Sequence, residues 1–301
     1  RLNDTTKDSL STLAGREDGL PRRRIRAHCF LAEDDRRAGR YEEALARLDR
    51  AGRLLADPAQ RLRLEKLRAR ILTDSGRAAE ALDLLKEGIA GAADENIAAE
   101  LQTVRGDLLY ARSEYAEALD AYQAALDVSL ERAGRLYFNK AWCLWHLQRY
   151  AQATPAFEEA ARALDDAEMR ARAWFKAGDA LFRRGQYGEA RTRYLKAAEA
   201  APQWPRTPQA LYQAHLSAAR SDAREEALEG FRALATRYPD HPLAGRARLR
   251  IGEIQSEGND WEKALETYVT LAESATDASV AAEAMKQRGL LLYRHNRFEQ
   301  A

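Results

Sequence analysis

Gly185-Gln186-Tyr187-Gly188-Glu189-Ala190, followed by Tyr194 and Ala197, is the stretch from which the rest of the chain can be read. Its frame, an aromatic or equivalent residue with alanine three places on, recurs at Tyr41/Ala44, Ala78/Ala81, Tyr115/Ala118, Tyr150/Ala153, Arg224/Ala227, Trp261/Ala264 and Phe298/Ala301. Successive frames lie 37, 37, 35, 37, 37, 37 and 37 residues apart. A fixed period of this size marks a repeat architecture in which each unit buries its core against its neighbours. It outweighs the two-domain expectation that a length of 301 residues would otherwise carry.

Each period reads as a first helix, a tight hinge and a second helix. On the second helix the hinge position +3 is alanine throughout. Position +7 is large: Leu48, Leu85, Tyr122, Phe157, Tyr194, Phe231 and Tyr268. With +4, +10 and +11 these form the i, i+3, i+4, i+7 stripe of an amphipathic helix. On the first helix, position −9 is small: Ala32, Ala69, Gly106, Ala141, Gly178, Gly252 and Gly289. A glycine in mid-helix costs about 1 kcal/mol against alanine, so its recurrence points to close helix crossing. His215 breaks the row and predicts a locally spread pair.

Composition narrows the function. The net charge of +1 supplies no general basic field for nucleic acid. Arginine contributes 40 of the 48 basic side chains, which fits either a GC-rich genome or carboxylate and phosphate recognition. Cys29 and Cys143 fall in repeats one and four, too far apart for a disulfide. No apolar run has the roughly 20 residues of a membrane helix. The five histidines show no metal-ligand spacing, and neither a phosphate-cradling glycine loop nor a G-x-S-x-G elbow is present. These absences predict a non-enzymatic chain with no cofactor and no metal.

At the N-terminus, residues 1–20 lie outside the frame and read as a leader or a short helix. Residues 21–301 form the repeats. Asp34, Asp35, Arg36 and Arg37 stand where later repeats carry Leu or Ile, as a polar outer face of a terminal capping repeat would. The chain opens on Arg1 and stops on the hinge residue Ala301, so it reads as a fragment. The incomplete last repeat makes self-association through residues 280–301 a possibility.

The repeats resemble the tetratricopeptide repeat. In repeat five the matching residues are Trp174, Gly178, Leu181, Tyr187, Ala190, Tyr194, Ala197 and Pro202, and the likeness covers about residues 22–301. The resemblance implies an all-α, right-handed α-α superhelix of about eight helix-turn-helix units, the last truncated. The family's usual period is about 34, so three extra residues per repeat belong in the inter-repeat loops or in longer helices. A narrower likeness covers Arg237–Glu253 and Trp261–Ala264. It is similar to repeats of bacterial envelope scaffolds, among them the Tol-Pal-associated division coordinator and the outer-membrane assembly lipoprotein. This tilts the compartment towards the periplasm or cell envelope.

The resemblance also implies that the first helix lines a concave groove, through hinge positions −15, −12, −8, −5 and −4. In repeats one and two these include Arg26, Arg36, Arg37, Arg63, Lys66 and Arg70. The candidate partner-binding residues are Tyr110, then Arg135, Phe138, Trp142, Trp145 and His146, then Arg172, Phe175, Asp179, Phe182 and Tyr212. Phe138, Trp142 and Trp145 add a second stripe to a helix that already has a core stripe in Tyr137, Ala141 and Leu144. Either a partner covers these rings or longer helices bury them against neighbouring repeats. Lys66, Arg70, Val104, Arg135 and Asn139 depart from the family's carboxylate clamp, which argues against a chaperone tail as ligand. The expected function is a scaffold for an extended or helical segment of another protein. The alternative is a scaffold associated with envelope glycan or exopolysaccharide, with rings stacking on sugars beside Asp107, Arg172 and Asp179. RNA binding is less favoured, because the net charge is near neutral and repeat seven is acidic at Glu253 and Glu257.

Overall fold

The structure is a computed structural model that describes residues 3–16, 20–55, 57–128, 133–258 and 260–297. The hinge pair Phe298/Ala301 lies outside these residues. Among the described residues there are sixteen α-helices and no strand. They are α1 (Asp4–Gly15), α2 (Pro21–Arg37), α3 (Tyr41–Gly52), α4 (Pro58–Asp74), α5 (Ala78–Ala90), α6 (Glu95–Ala111), α7 (Tyr115–Val128) and α8 (Ala133–His146) in residues 1–147. A second compact unit, residues 148–301, holds α9 (Tyr150–Ala163), α10 (Ala167–Arg183), α11 (Tyr187–Ala200), α12 (Thr207–Arg220), α13 (Arg224–Arg237), α14 (Pro242–Glu257), α15 (Trp261–Ser274) and α16 (Ala278–Arg294). Within each unit every helix packs on the next in sequence. First helices also touch first helices: α2 on α4 and α4 on α6 in one unit, α12 on α14 and α14 on α16 in the other. None of these helices is long and apolar enough to cross a membrane.

The first helices start at defined caps. Asp57, Asp94, Asp166 and Asp277 each accept a backbone N–H of the first turn through a carboxylate oxygen, and Pro21, Pro58 and Pro242 occupy the first helical position. They end at a residue with positive φ two places before the hinge: Gly39, Gly76, Ser113, Gln148, Gly185, Asp222 and Asn296. In most repeats the following N–H then reaches back across the last turn, as Gln186 does to the Leu181 carbonyl at 3.0 Å. This is the Schellman closure that turns the chain into the second helix. Glutamine pays for the left-handed conformation where glycine would not. Gln148→Gly is therefore expected to raise stability by about 1 kcal/mol, read as a higher urea midpoint.

The +3 alanines from Ala44 to Ala264 and the +7 residues from Leu48 to Tyr268 are all buried. Small and large residues match across each hairpin. A Cβ on Gly106 would lie 2.7 Å from the Tyr122 ring, on Gly178 2.8 Å from Tyr194, and on Gly252 2.5 Å from Tyr268. Glycine thus stands where the facing residue is tyrosine, while Ala32 and Ala69 stand in the hairpins whose +7 residue is Leu48 or Leu85. Repeat six inverts the arrangement. His215 is large, and the space it needs comes from Gly230 on α13, so the facing helix accommodates the imidazole through its own glycine. The compensating residue lies at hinge +6, off the +7 row.

The expectation of a polar outer face at Asp34 and Asp35 is corrected by their burial, each being only 4% exposed. Helix α1 covers this end of α2, with Leu10, Leu13 and Ala14 against Ala27 and Leu31. Asp34 pairs with Lys7 of α1 at 3.1 Å, and Asp35 with Arg40 and with Arg47 at 2.6 Å. Burial without these partners would cost several kcal/mol per carboxylate, so the charges are matched inside rather than exposed. The additional residues of the longer period are found in both expected places. Helices α2, α4, α6, α10 and α16 run to 17 residues. Where α12 has only 14, the loop 201–206 precedes it, folded with Trp204 buried.

Candidate functional site

In residues 1–147 the first-helix face forms a cavity of about 740 Å³. Its wall is supplied by α2 (Arg26, Cys29, Phe30, Glu33), α4 (Arg63, Lys66, Leu67, Arg70, Thr73, Asp74) and α6 (Val104, Asp107, Leu108, Ala111). The expected hinge positions −15, −12, −8, −5 and −4 all contribute. A sixth, −11, was missed, and it supplies Phe30, Leu67 and Val104. Phe30 is 57% exposed. The signal was present in the sequence, since the −11 row is apolar in these three repeats and becomes Asn139, Lys176, Gln213, Arg250 and Gln287 afterwards. A smaller cavity of about 160 Å³ follows between α4, α6 and α8, lined in part by Glu100, Thr103 and the exposed Arg135.

The charges of the larger cavity are unequally matched. Glu33 binds Arg36 at 2.9 Å and Arg37 at 3.0 Å, which holds its carboxyl below the usual carboxylate range. Asp74 pairs with Arg36, and Lys66 with Glu100 at 2.6 Å. Asp107 accepts from the Tyr122 hydroxyl at 2.7 Å and from Asn139 at 3.2 Å. Burial pushes the Cys29 thiol up, opposed by the nearby Arg63 charge. Burial pushes Cys143 further, up to about 12. A maleimide reagent at neutral pH is expected to modify Cys29, in the cavity wall, well before the buried Cys143, which reacts only after unfolding. Peptide mapping after timed labelling checks this, and equal rates at the two cysteines would contradict it.

Beyond this cavity, the residues expected in repeats three and four form one contiguous aromatic group. The Tyr110 hydroxyl lies 3.1 Å from His146 Nε2, and the His146 ring stacks on Tyr115 with centroids 4.3 Å apart. Trp142 lies 5.9 Å from His146 and meets Phe138 and Trp145 edge-on at 6.2 and 6.3 Å. Tyr110, Phe138, Trp142 and Trp145 are half-buried and His146 is exposed. These rings hold one another and are neither fully buried nor fully exposed, an arrangement between the two alternatives.

Residues 148–301 place their expected site residues differently. Phe175 is only 5% exposed, with Tyr194 and Trp204 edge-on to it at 5.3 and 5.9 Å. It is a core side chain rather than a groove anchor, because the 201–206 loop folds Trp204 over it. Asp179 is half-buried and accepts from the Tyr194 hydroxyl at 2.8 Å and from Lys176 at 2.7 Å. Exposed Arg172 pairs with Glu168. Phe182 meets Tyr187 edge-on at 5.1 Å, with the Arg220 guanidinium 5.6 Å from its centroid. The Tyr212 hydroxyl accepts from Arg250 at 3.3 Å. Among the described residues no cluster of three or more His, Cys, Asp or Glu side chains could hold a metal ion.

Comparison with known proteins agrees with this architecture. Tetratricopeptide-repeat models match residues 103–168, 171–204 and 246–276, so the chain carries tetratricopeptide repeats. No curated protein sequence matches it. Among solved structures, the chain is similar to Naa15/Naa10 bound to HypK-THB, with 17% identity, a TM-score of 0.62, and coverage of 89% of this chain and 39% of that one. It is also similar to the C-terminal part of a TPR repeat-containing protein from Cytophaga hutchinsonii, with 14% identity, a TM-score of 0.58, and coverage of 81% and 93%. At these identities the similarity concerns the fold.

Proposed function

We propose that the chain is a non-enzymatic scaffold that holds an extended or helical segment of another protein against its first-helix face. Tetratricopeptide repeats in general mediate protein–protein interaction. The observation that carries the reading is the division of labour between the helices. The second helices direct their +3 and +7 side chains into the core. The first helices of repeats one to three leave a cavity of about 740 Å³ with Phe30 open to solvent. An exposed apolar side chain flanked by arginines is the composition of a binding hot spot. The half-buried Tyr110, Phe138, Trp142 and Trp145 offer a second anchoring patch in the same unit, beside the exposed Arg135 and His146. Arg172, Asp179, Phe182 and Tyr212 are the candidates of residues 148–301 that are not buried.

Affinity capture from the source cells tests this, with the chain immobilised beside its Phe30→Asp and Trp142→Ala/Trp145→Ala variants, each shown helical by circular dichroism. The expected result is a protein retained by the unaltered chain and lost with one of the variants. Identical capture by all three would place the binding surface elsewhere.

A further inference from the structure

We infer that the cavity between α2, α4 and α6 takes an acidic segment of the partner built around one large apolar side chain. This rests on the scaffold reading and specifies the chemistry of its ligand. The basis is the uncompensated charge of the wall. Glu33, Asp74, Lys66 and Asp107 are each engaged by an ion pair or hydrogen bond within the protein. Arg26, Arg63 and Arg70 line the same wall and form no ion pair among the described residues.

Their placement follows from helix geometry. Arg63 and Arg70 are two turns apart on α4, about 10 Å along the axis, with Leu67 between them on the same side. On α2, Arg26 precedes Phe30 by one turn. Two adjacent helices thus present the same order, an arginine and then an apolar side chain, and Val104 and Leu108 of α6 complete the apolar seat. A large side chain in that seat would take Phe30 out of water, while carboxylates on either side would meet guanidinium forks suited to bidentate pairing. A neutral or basic segment would enclose three arginines without counter-charge, which desolvation penalises.

A random dodecapeptide phage library, selected on the chain and on its Arg63→Ala/Arg70→Ala and Phe30→Asp variants, tests the assignment. All three proteins are first confirmed helical by circular dichroism. Selection on the unaltered chain is expected to enrich Asp and Glu around a single Leu, Phe or Trp. A synthetic peptide of the enriched sequence should bind at least tenfold more weakly to Arg63→Ala/Arg70→Ala and weaken steeply between 50 and 500 mM salt, on the order of tenfold or more. Enriched peptides that are neutral or basic overturn the acidic assignment, as do acidic ones indifferent to the arginine pair. If those peptides still fail on Phe30→Asp, the scaffold reading survives. An absence of enrichment overturns both. A single-stranded oligonucleotide that displaces the selected peptide from the cavity also overturns it.

Discussion

Gly230→Ala is expected to lower the unfolding free energy by about 2 kcal/mol, although alanine is the better helix former by about 1 kcal/mol. The reason is the imidazole of His215. A Cβ built on Gly230 falls within the van der Waals envelope of the ring, and its nearest neighbours include Cγ, which cannot swing away as a flexible chain end would. His215 is also fixed edge-on to Phe231 at 5.8 Å, so rotation would displace a fully buried ring. The effect should be reciprocal. In Gly230→Ala/His215→Ala the first helix regains the alanine found at Ala32, Ala69 and Ala141, and most of the loss should be recovered. A double-mutant cycle in urea measures the coupling, and additive single effects would refute the steric account.

The second large effect is on acid stability. Burial, with the Arg191 charge as a smaller contribution, lowers the His215 pKa from 6.5 to about 4, and its Nδ1 has no hydrogen-bond partner. Below its ordinary pKa the unfolded chain binds a proton that the folded chain refuses until about pH 4. Stability is therefore complete above pH 6.5 and falls as the pH drops towards 4. At about 1.4 kcal/mol per unit the loss approaches 3 kcal/mol. His28 is lowered in the same direction, first by burial and then by Arg47, Arg50 and Arg24, so the His215 share needs a difference measurement. The stability gap between the chain and His215→Ala should shift in favour of the variant by about 2–3 kcal/mol between pH 7 and pH 4.5. A gap independent of pH would contradict the assignment.

The repeat frame, the buried +3 and +7 rows and the small −9 row were legible because each recurs at fixed helical spacing, and periodicity carries that information. What escaped was the pairing between rows. Glycine at −9 answers tyrosine at +7, and at His215 the answering glycine sits at +6, a correlation that no single row displays. Phe175 was misplaced for a different reason. Its position is equivalent to Cys29 in the cavity wall, but a proline-rich loop brings Trp204 onto it, and a loop conformation leaves no period in the sequence. Asp34 and Asp35 look like surface residues by type. Asp35 is matched inside the repeat by Arg40 and Arg47, but the partner of Asp34 is Lys7, which lies outside the repeat frame. The cavity was half legible: its arginines stood at the expected positions, while Phe30 and Leu67 lay one residue away in a row whose change from apolar to polar marks where the cavity ends.

Protection of Cys29 tests the central claim most directly, because this half-buried thiol lies in the wall between Arg26 and Phe30. Its alkylation rate would be followed by peptide mapping while the selected acidic peptide is titrated in. A partner held on the first-helix face should slow the reaction at least tenfold at saturation, with the protection lost in Arg63→Ala/Arg70→Ala. An unchanged rate at saturating peptide would show that the partner binds somewhere other than this face.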